Sequence, residues 1–561
     1  MDHHVLTALP GGQRLPLMAP AAPDPGQVAG AVAGYLALRE FREGLYRCLT
    51  ARPDALFELT DAILCADHAV TSLVQLSLVP EFRRGHGALY AALADGRIDE
   101  EALAALLTGT LPPLADGEEG RAWVAGHDQV DYGLLEAALA GVPADQAAQV
   151  REACARWTRR RFAVDATPYP RPDAGCSPGR GHVHHDARRC DGTRKTIPGW
   201  EYQFVAAVGH LRTAWAALVD VERTTAATRT RQTIRQVQNL LRRLGAAGRG
   251  APLVILDAGY SAAALTAALA GQPVHLLIRL QSGSVFYADP VTWPGKKGRP
   301  GKHGMAVTCH NDPGQANPEP DESLELPQTP LYGTVRVGAW HQVHPLIHGD
   351  RGWFAGRDGD LPVLRGTVLR VKAERLPDGR TPHKTMWLWH AGPAPLSLDE
   401  LWRAYLARFD EEHAFRFAKG TLGLTAAKVR TPGQAERWVR LVMAAFAQLV
   451  LARPLAADLR RPWERPRDPA RPATPARVRR GFPDIRPRLG TPARVGKPTR
   501  PGPGRPKGSA RGRHPAIQSR RKAAKRTDKK PKTTPYRLKR RLRSLVPPYV
   551  LRRPLQWRCA R

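Results

Sequence analysis

Cysteine is scarce in this chain. Its 561 residues hold seven, at 48, 65, 154, 176, 190, 309 and 559, an odd number with no Cys-x-x-Cys pair. A disulfide framework is therefore not expected, and a reducing compartment fits. Long apolar runs are missing as well: no stretch of about 18 apolar residues occurs, so no helical membrane span is expected. The start, MDHHVLTALPGG, has neither a basic n-region nor an apolar core, which argues against a signal peptide and for a cytoplasmic location. Acids nearly vanish from the C-terminal end. From Arg460 to Arg561 there are 34 Lys and Arg against four acids, Glu464, Asp468, Asp484 and Asp528.

That last scarcity places almost all of the formal charge of +34 in one segment and leaves a nearly neutral body. The segment 460–561 is rich in Pro and Gly and poor in apolar runs, a composition expected to stay disordered because it cannot bury a core. Its expected partner is a polyanion, most naturally nucleic acid. Two Gly-Arg-Pro units occur, at 298–300 and 504–506. The second resembles an AT-hook, in which Arg505 would enter a narrow minor groove; a generic basic loop is an equal alternative.

The body divides by texture. After a flexible N-terminus (1–27), residues 28–150 show apolar residues at three-four spacing, the mark of helices. Within them TSLVQLSLVPEFRRGHGALYAAL (71–93) is compatible with a helix-turn-helix that brings Arg83, Arg84 and His86 to a DNA groove, or with an ordinary bundle. From 160 to 284 strand patterns alternate with helical ones: RFAVDAT, GWEYQFVAAVG and TAWAALVDVERTT, then an amphipathic helix, then PLVIL, a helix opened near Ser261, and VHLLIRL. This order implies a mixed α/β sheet, with Asp165 and Asp257 at or near strand positions. Residues 285–395 read as a β-rich insertion. Residues 396–459 read as helices, ending in the core helix AERWVRLVMAAFAQLVLAR.

The stretch YLARFDEEHAFRFAK (405–419) carries three consecutive acids. At 100° per residue, Tyr405, Arg408, Glu412 and Lys419 fall on one stripe roughly 60° wide, and Asp410 and Glu411 fall off it. A stripe of one carboxylate, two cations and a phenol suits a phosphate backbone and a metal ion better than a core; for a helix taken alone, an exposed ion-pair face is the stronger alternative. Replacing Asp410 or Glu411 is accordingly expected to be nearly silent. Asp165, Asp257 and Glu412 together form three carboxylates that need a compensating cation. Such clusters hold two Mg²⁺ ions in phosphodiester chemistry.

The pattern Tyr405-x2-Arg408-x3-Glu412-x6-Lys419 resembles the YREK signature of bacterial insertion-sequence transposases of the DDE type. The strings VDATPYPRPDAGCSP, IPGWEYQFVAAV, VILDAGYS, FDEEHAFRFAKGTLGL and RPLAADLRRPWERP resemble the actinobacterial branch of these elements. The resemblance covers roughly 160–480. It implies an RNase H-like catalytic domain interrupted by a β-rich insertion before the final glutamate. It also implies a metal triad of Asp165, Asp257 and Glu412 binding Mg²⁺ or Mn²⁺, with Tyr405, Arg408 and Lys419 on DNA phosphates. The implied activity is cut-and-paste transposition on double-stranded DNA, by a homodimer in the DNA complex, in a nucleoid-associated protein. A hairpin intermediate would need a flipped base on an aromatic; Trp340, Trp353 and Trp387 are candidates, with core packing the stronger expectation for each. The alternative is a non-catalytic DNA-binding protein derived from a decayed or domesticated transposase. The stretch GRGHVHHDARRCDGTRK (179–195) departs from the resemblance. Its Cys176, His182, His184, His185 and Cys190 match no zinc spacing, and a DNA-facing loop is expected there.

Overall fold

The computed structural model of the chain describes residues 25–111, 159–188, 194–209, 215–245, 251–290, 303–310, 317–329, 331–350, 352–356, 360–377, 379–380, 385–465 and 473–496. Most of the N-terminus expected to be flexible, residues 112–158, Cys190, both Gly-Arg-Pro units with Arg505, and the tail beyond 496 lie outside the described residues.

The N-terminal helices are α1 (Pro25–Cys48), α2 (Pro53–Cys65), α3 (Leu73–Leu76), α4 (His86–Asp95) and α5 (Glu100–Gly109). Strands β1 (Leu49–Ala51) and β2 (Arg97–Ile98) form a small antiparallel ladder among them. Helix α2 is buried on every side from Ala55 to Cys65, so its Glu58 and Asp61 need partners inside the protein. Arg42 of α1 donates to both oxygens of Asp61, at 2.7 and 3.0 Å. Arg83 and Arg84 close on Glu58. The helix-turn-helix expectation is corrected at these two arginines: they neutralise a buried carboxylate, and α3 is a single turn.

The apolar run Phe162–Val164 opens β3 (Arg161–Pro170). It is followed by β4 (Gly181–Arg188), β5 (Arg194–Ala207), β6 (Ala217–Thr224), helix α6 (Arg229–Leu244), β7 (Leu253–Leu256), α7 (Ala262–Ala268) and β8 (His275–Arg279). Side by side the order is β6-β5-β3-β7-β8, antiparallel up to β3 and parallel from β3 through β7 to β8. This mixed sheet, with α6 and α7 as crossovers, is consistent with an RNase H-like domain. The stretch expected as a DNA-facing loop is instead partly strand: β4 hydrogen-bonds along the first half of β5, with Val183 turned inward and His182 and His184 exposed.

The β-rich insertion comprises β9 (Val285–Tyr287), β10 (Ala306–Thr308), β11 (Glu322–Thr329), β12 (Gly333–Pro345), β13 (Gly366–Ala373) and β14 (Met386–Ala391). It extends the central sheet. β14 lies antiparallel to β8, with Trp389 opposite Ile278. The reason is in the composition of β8: His-Leu-Leu-Ile is buried throughout and its free edge would otherwise leave backbone donors and acceptors unpaired. The sheet has 12 described strands in all.

Helices α8 (Leu398–Ala407), α9 (Phe409–Gly420), α10 (Pro432–Leu451) and α11 (Pro475–Leu489) complete the described fold. A capping box starts α10, where Thr431 accepts from the Gln434 backbone and Gln434 returns the contact. The expectation of a disordered segment from 460 is corrected over α11: Val478, Phe482 and Ile485, four and three residues apart, bury one helical face, and Arg479 donates to the carbonyls of Ile63 and His68. The sheet is covered on both faces. Ala163 and Ile255 belong to the apolar cluster under α8–α10; Phe162, Val164, Val254 and Leu256 belong to the one under α6 and α7.

Candidate active site

Strand alternation decides which way the aspartates point. Val164 of β3 is in register with Leu256 of β7. Asp165 and Asp257 are each one residue further on, so they stand at the same level on adjacent parallel strands, roughly 5 Å apart along the sheet. With a period of two they share the face of Ala163 and Ile255, which is the face covered by α8 and α9. Asp257 sits just past the end of β7, where its Oδ1 accepts from Gly259 N–H at 2.8 Å. Asp165 accepts from the backbone of Ala166 at 2.7 Å.

The helix expected to run continuously through 405–419 breaks at Arg408. Arg408 N–H bonds back to Tyr405 at 3.2 Å, a tightened turn between α8 and α9. The single stripe is therefore corrected. Tyr405 belongs to α8 and is buried, with Arg279 of β8 acting on its hydroxyl. Glu412 and the half-buried Lys419 belong to α9.

Arg408 stands between two elements. Its Nη1 donates to Asp165 Oδ2 at 2.8 Å and its Nη2 to Glu412 Oε1 at 2.7 Å. It is 7 % exposed, and its Nε has no hydrogen-bond partner among the described residues. Burial alone would lower its pKa; Tyr405, Asp165 and Glu412 together raise it, so it stays charged. Burial pushes Asp165 up to about 6, with Arg408 opposing and Asp257 adding to the rise.

The two acids set aside by helical spacing do not form an exposed patch: Glu411 is buried and Asp410 partly so. Glu411 is 0 % exposed, and neither carboxyl oxygen has a hydrogen-bond partner among the described residues. Burial, then the charge of Asp165, drives its pKa well above the ordinary carboxylate value. Asp410 accepts from Gly209 N–H at 3.1 Å and is pushed by burial up to about 7. The solvated surroundings behind the expectation that both are silent are corrected. What the stripe missed is the helix break, and a tightened turn of this kind carries no residue signature in Ala407-Arg408-Phe409.

Of the aromatic candidates, Trp340 and Trp387 are core residues, stacked 5.7 Å apart, with indole N–H groups on the carbonyls of Pro318 and His310. Trp353 is partly buried. The most exposed indole among the described residues is Trp463, 76 % exposed, with the Arg461 guanidinium 5.6 Å over its ring.

For a divalent ion the donor chemistry fits: Asp165, Asp257 and Glu412 offer only hard oxygens, and two of them already converge on one cation. Among the described residues, no group of three His, Cys, Asp or Glu is assembled to hold a metal ion. The guanidinium of Arg408 is what stands between Asp165 and Glu412. Outside this site His182, His184 and Cys176 form no such group either. No described helix is long and apolar enough to cross a membrane.

A family model described as DDE superfamily endonuclease matches residues 44–128 and 120–345, more than half of the chain. The match takes in Asp165 and Asp257 and stops ahead of Arg408 and Glu412. No curated protein matches the chain.

Proposed function

Because the chain belongs to the DDE superfamily endonuclease family, we propose that it is the transposase of an insertion sequence, of the YREK group and actinobacterial type, which cuts DNA at the ends of its element and joins them to a target. The observation that carries this reading is the bridge that buried Arg408 makes between Asp165 of β3 and Glu412 of α9, with Asp257 on the neighbouring strand at the level of Asp165. Glu412 is preferred to Glu411 as the third acid on physical grounds. Its side chain is 44 % exposed and ionically paired, hence within reach of substrate, whereas Glu411 is fully buried.

In this reading two Mg²⁺ or Mn²⁺ ions, when bound, supply the charge that activates water and stabilises the leaving oxygen. Asp165, Asp257 and Glu412 would hold them. Arg408 and Lys419 take phosphate oxygens of the strand being cut, and Tyr405 buttresses Arg408 from below, its ring 5.9 Å from the guanidinium carbon. Water attacks a phosphodiester, the P–O3′ bond breaks, and the freed 3′-hydroxyl attacks a target phosphodiester with release of its 3′-oxygen. Two copies act together on paired ends. The basic tail, Arg505 included, adds affinity for duplex DNA of any sequence.

The test is cleavage of the element's own ends with Mg²⁺. Asp257→Asn and Glu412→Gln should each abolish cutting, while end binding, which phosphate contacts dominate, stays nearly intact. An inactive Glu411→Gln beside a Glu412→Gln that cuts normally would move the third acid by one residue. Normal cutting by Asp257→Asn would sink the reading.

A further inference from the structure

Arg408 is poorly explained as a purely structural ion pair. A fork designed to hold one carboxylate would present two parallel N–H groups to it. Here each terminal nitrogen serves a different carboxylate, on different elements, and the buried Nε–H has no acceptor among the described residues. The residue sits at the break between α8 and α9 and not within a helix, so its side chain can change direction without unwinding either. The surroundings carry a further acid: Asp257 stands at the level of Asp165 on the adjacent parallel strand. One guanidinium is thus the counter-ion of a cluster that has capacity for more positive charge.

We propose that Arg408 is a built-in place-holder: it neutralises Asp165 and Glu412 while no metal is bound, and a divalent ion enters by displacing it. The released fork, with its Nε–H now usable, then turns to a DNA phosphate. This rests on the reading of Asp165 and Glu412 as metal-holding carboxylates. Its consequence is an affinity penalty on metal binding by the DNA-free protein, which restrains ionic chemistry until DNA is present to take the arginine. A positioning role makes the opposite prediction, since an arginine that merely aims the two carboxylates would be needed for tight binding.

The experiment is a Mn²⁺ titration of the full-length, DNA-free protein, following free Mn²⁺ by electron paramagnetic resonance. Arg408→Gln should bind Mn²⁺ about tenfold more tightly than the wild type, since a competing charge has been removed. Arg408→Lys, which keeps the charge and loses the fork, should fall between. Equal or weaker binding by a folded Arg408→Gln overturns the inference. Asp165→Asn should abolish binding in every background; Mn²⁺ binding indifferent to Asp165→Asn overturns the metal-site reading itself. Should Arg408→Gln fail to fold, a structure of the wild type with Mn²⁺ decides: the hydrogen bond from Arg408 to Asp165 must be broken, and Mn²⁺ bound on Asp165 with that hydrogen bond intact refutes displacement.

Discussion

Glu58 and Arg83, 25 residues apart in sequence, meet as a buried carboxylate and its guanidinium: Nε and Nη2 of Arg83 donate to Glu58 Oε1 at 3.0 and 2.7 Å. Arg84 adds a second cation, 3.2 Å from Oε2. Two arginines that looked available to DNA are thereby committed to the fold. Arg83→Ala should lower unfolding free energy by about 1–3 kcal/mol, because it leaves a fully buried acid with half its compensation. Its effect on DNA affinity, measured on folded protein, should be no more than that of a single remote charge. A large loss of affinity with unchanged denaturant midpoint would restore the groove-reading role.

The sheet was legible because its strands obey simple patterns. Phe162–Val164 of β3, Leu253–Leu256 of β7 and Leu276–Ile278 of β8 are continuous apolar runs, which is what a strand covered on both faces requires, and Asp165 and Asp257 follow directly on two of them. Ser261 announced α7 by capping it: its side chain accepts from Ala264 N–H. Three things were not legible. The break at Arg408 turns on backbone geometry that no residue type dictates, and it changed the surroundings of Asp410 and Glu411. The commitment of Arg83 and Arg84 depends on Glu58, an acid in a helix whose burial on all sides is visible only after packing. Helix α11 carries Pro483 and Pro487 inside a basic segment, so its composition masks the Val478-Phe482-Ile485 face that docks it.

The junction of β8 and β14 should be acid-sensitive. His275 and His390 are stacked and buried, with Nδ1 and Nε2 3.2 Å apart, which requires both rings neutral or singly protonated between them. Burial holds His275 down to about 4 and His390 down to about 3, against an ordinary 6.5. The folded values are depressed, so the stabilising contribution is present above pH 6.5 and is lost as pH falls towards these values. Each pH unit of difference is worth about 1.4 kcal/mol per group, so the loss should reach a few kcal/mol. Urea midpoints at about pH 7.5 and about pH 5 would show the drop, and His390→Gln should shrink it. An undiminished drop in that variant assigns the acid limb elsewhere.

Trp463 offers an exposed ring with Arg461 over it and Arg460 and Arg465 beside it in sequence, a combination suited to stacking an unpaired base. Trp463→Ala should weaken binding to single-stranded or frayed DNA by about tenfold, from roughly 1–3 kcal/mol per stacked base. Duplex affinity and melting temperature should hardly move. Unchanged single-strand affinity would leave the exposed indole without this role.

The C-terminal segment should divide in two on truncation. Removing 498–561 takes away charge and none of the described packing, so the melting temperature should be retained while the dependence of log K on log salt flattens by about 0.9 for each phosphate no longer neutralised. Removing 470–561 also strips α11. That exposes the surface under Val478, Phe482 and Ile485, each worth about 1.5–3 kcal/mol when fully buried. It also deletes the Arg479 bonds to Ile63 and His68 and the ion pair between Arg486 and Asp61, 3.3 Å long. Asp61 keeps Arg42, but Arg42 loses the Gly490 carbonyl that it holds at 3.2 Å. The shorter protein should therefore melt well below the other two, and its salt dependence is meaningful only at temperatures where it stays folded. Identical melting of both truncations would show that α11 contributes nothing to the body it rests on; an unchanged salt slope in the 498–561 deletion would show that the basic tail serves something other than DNA.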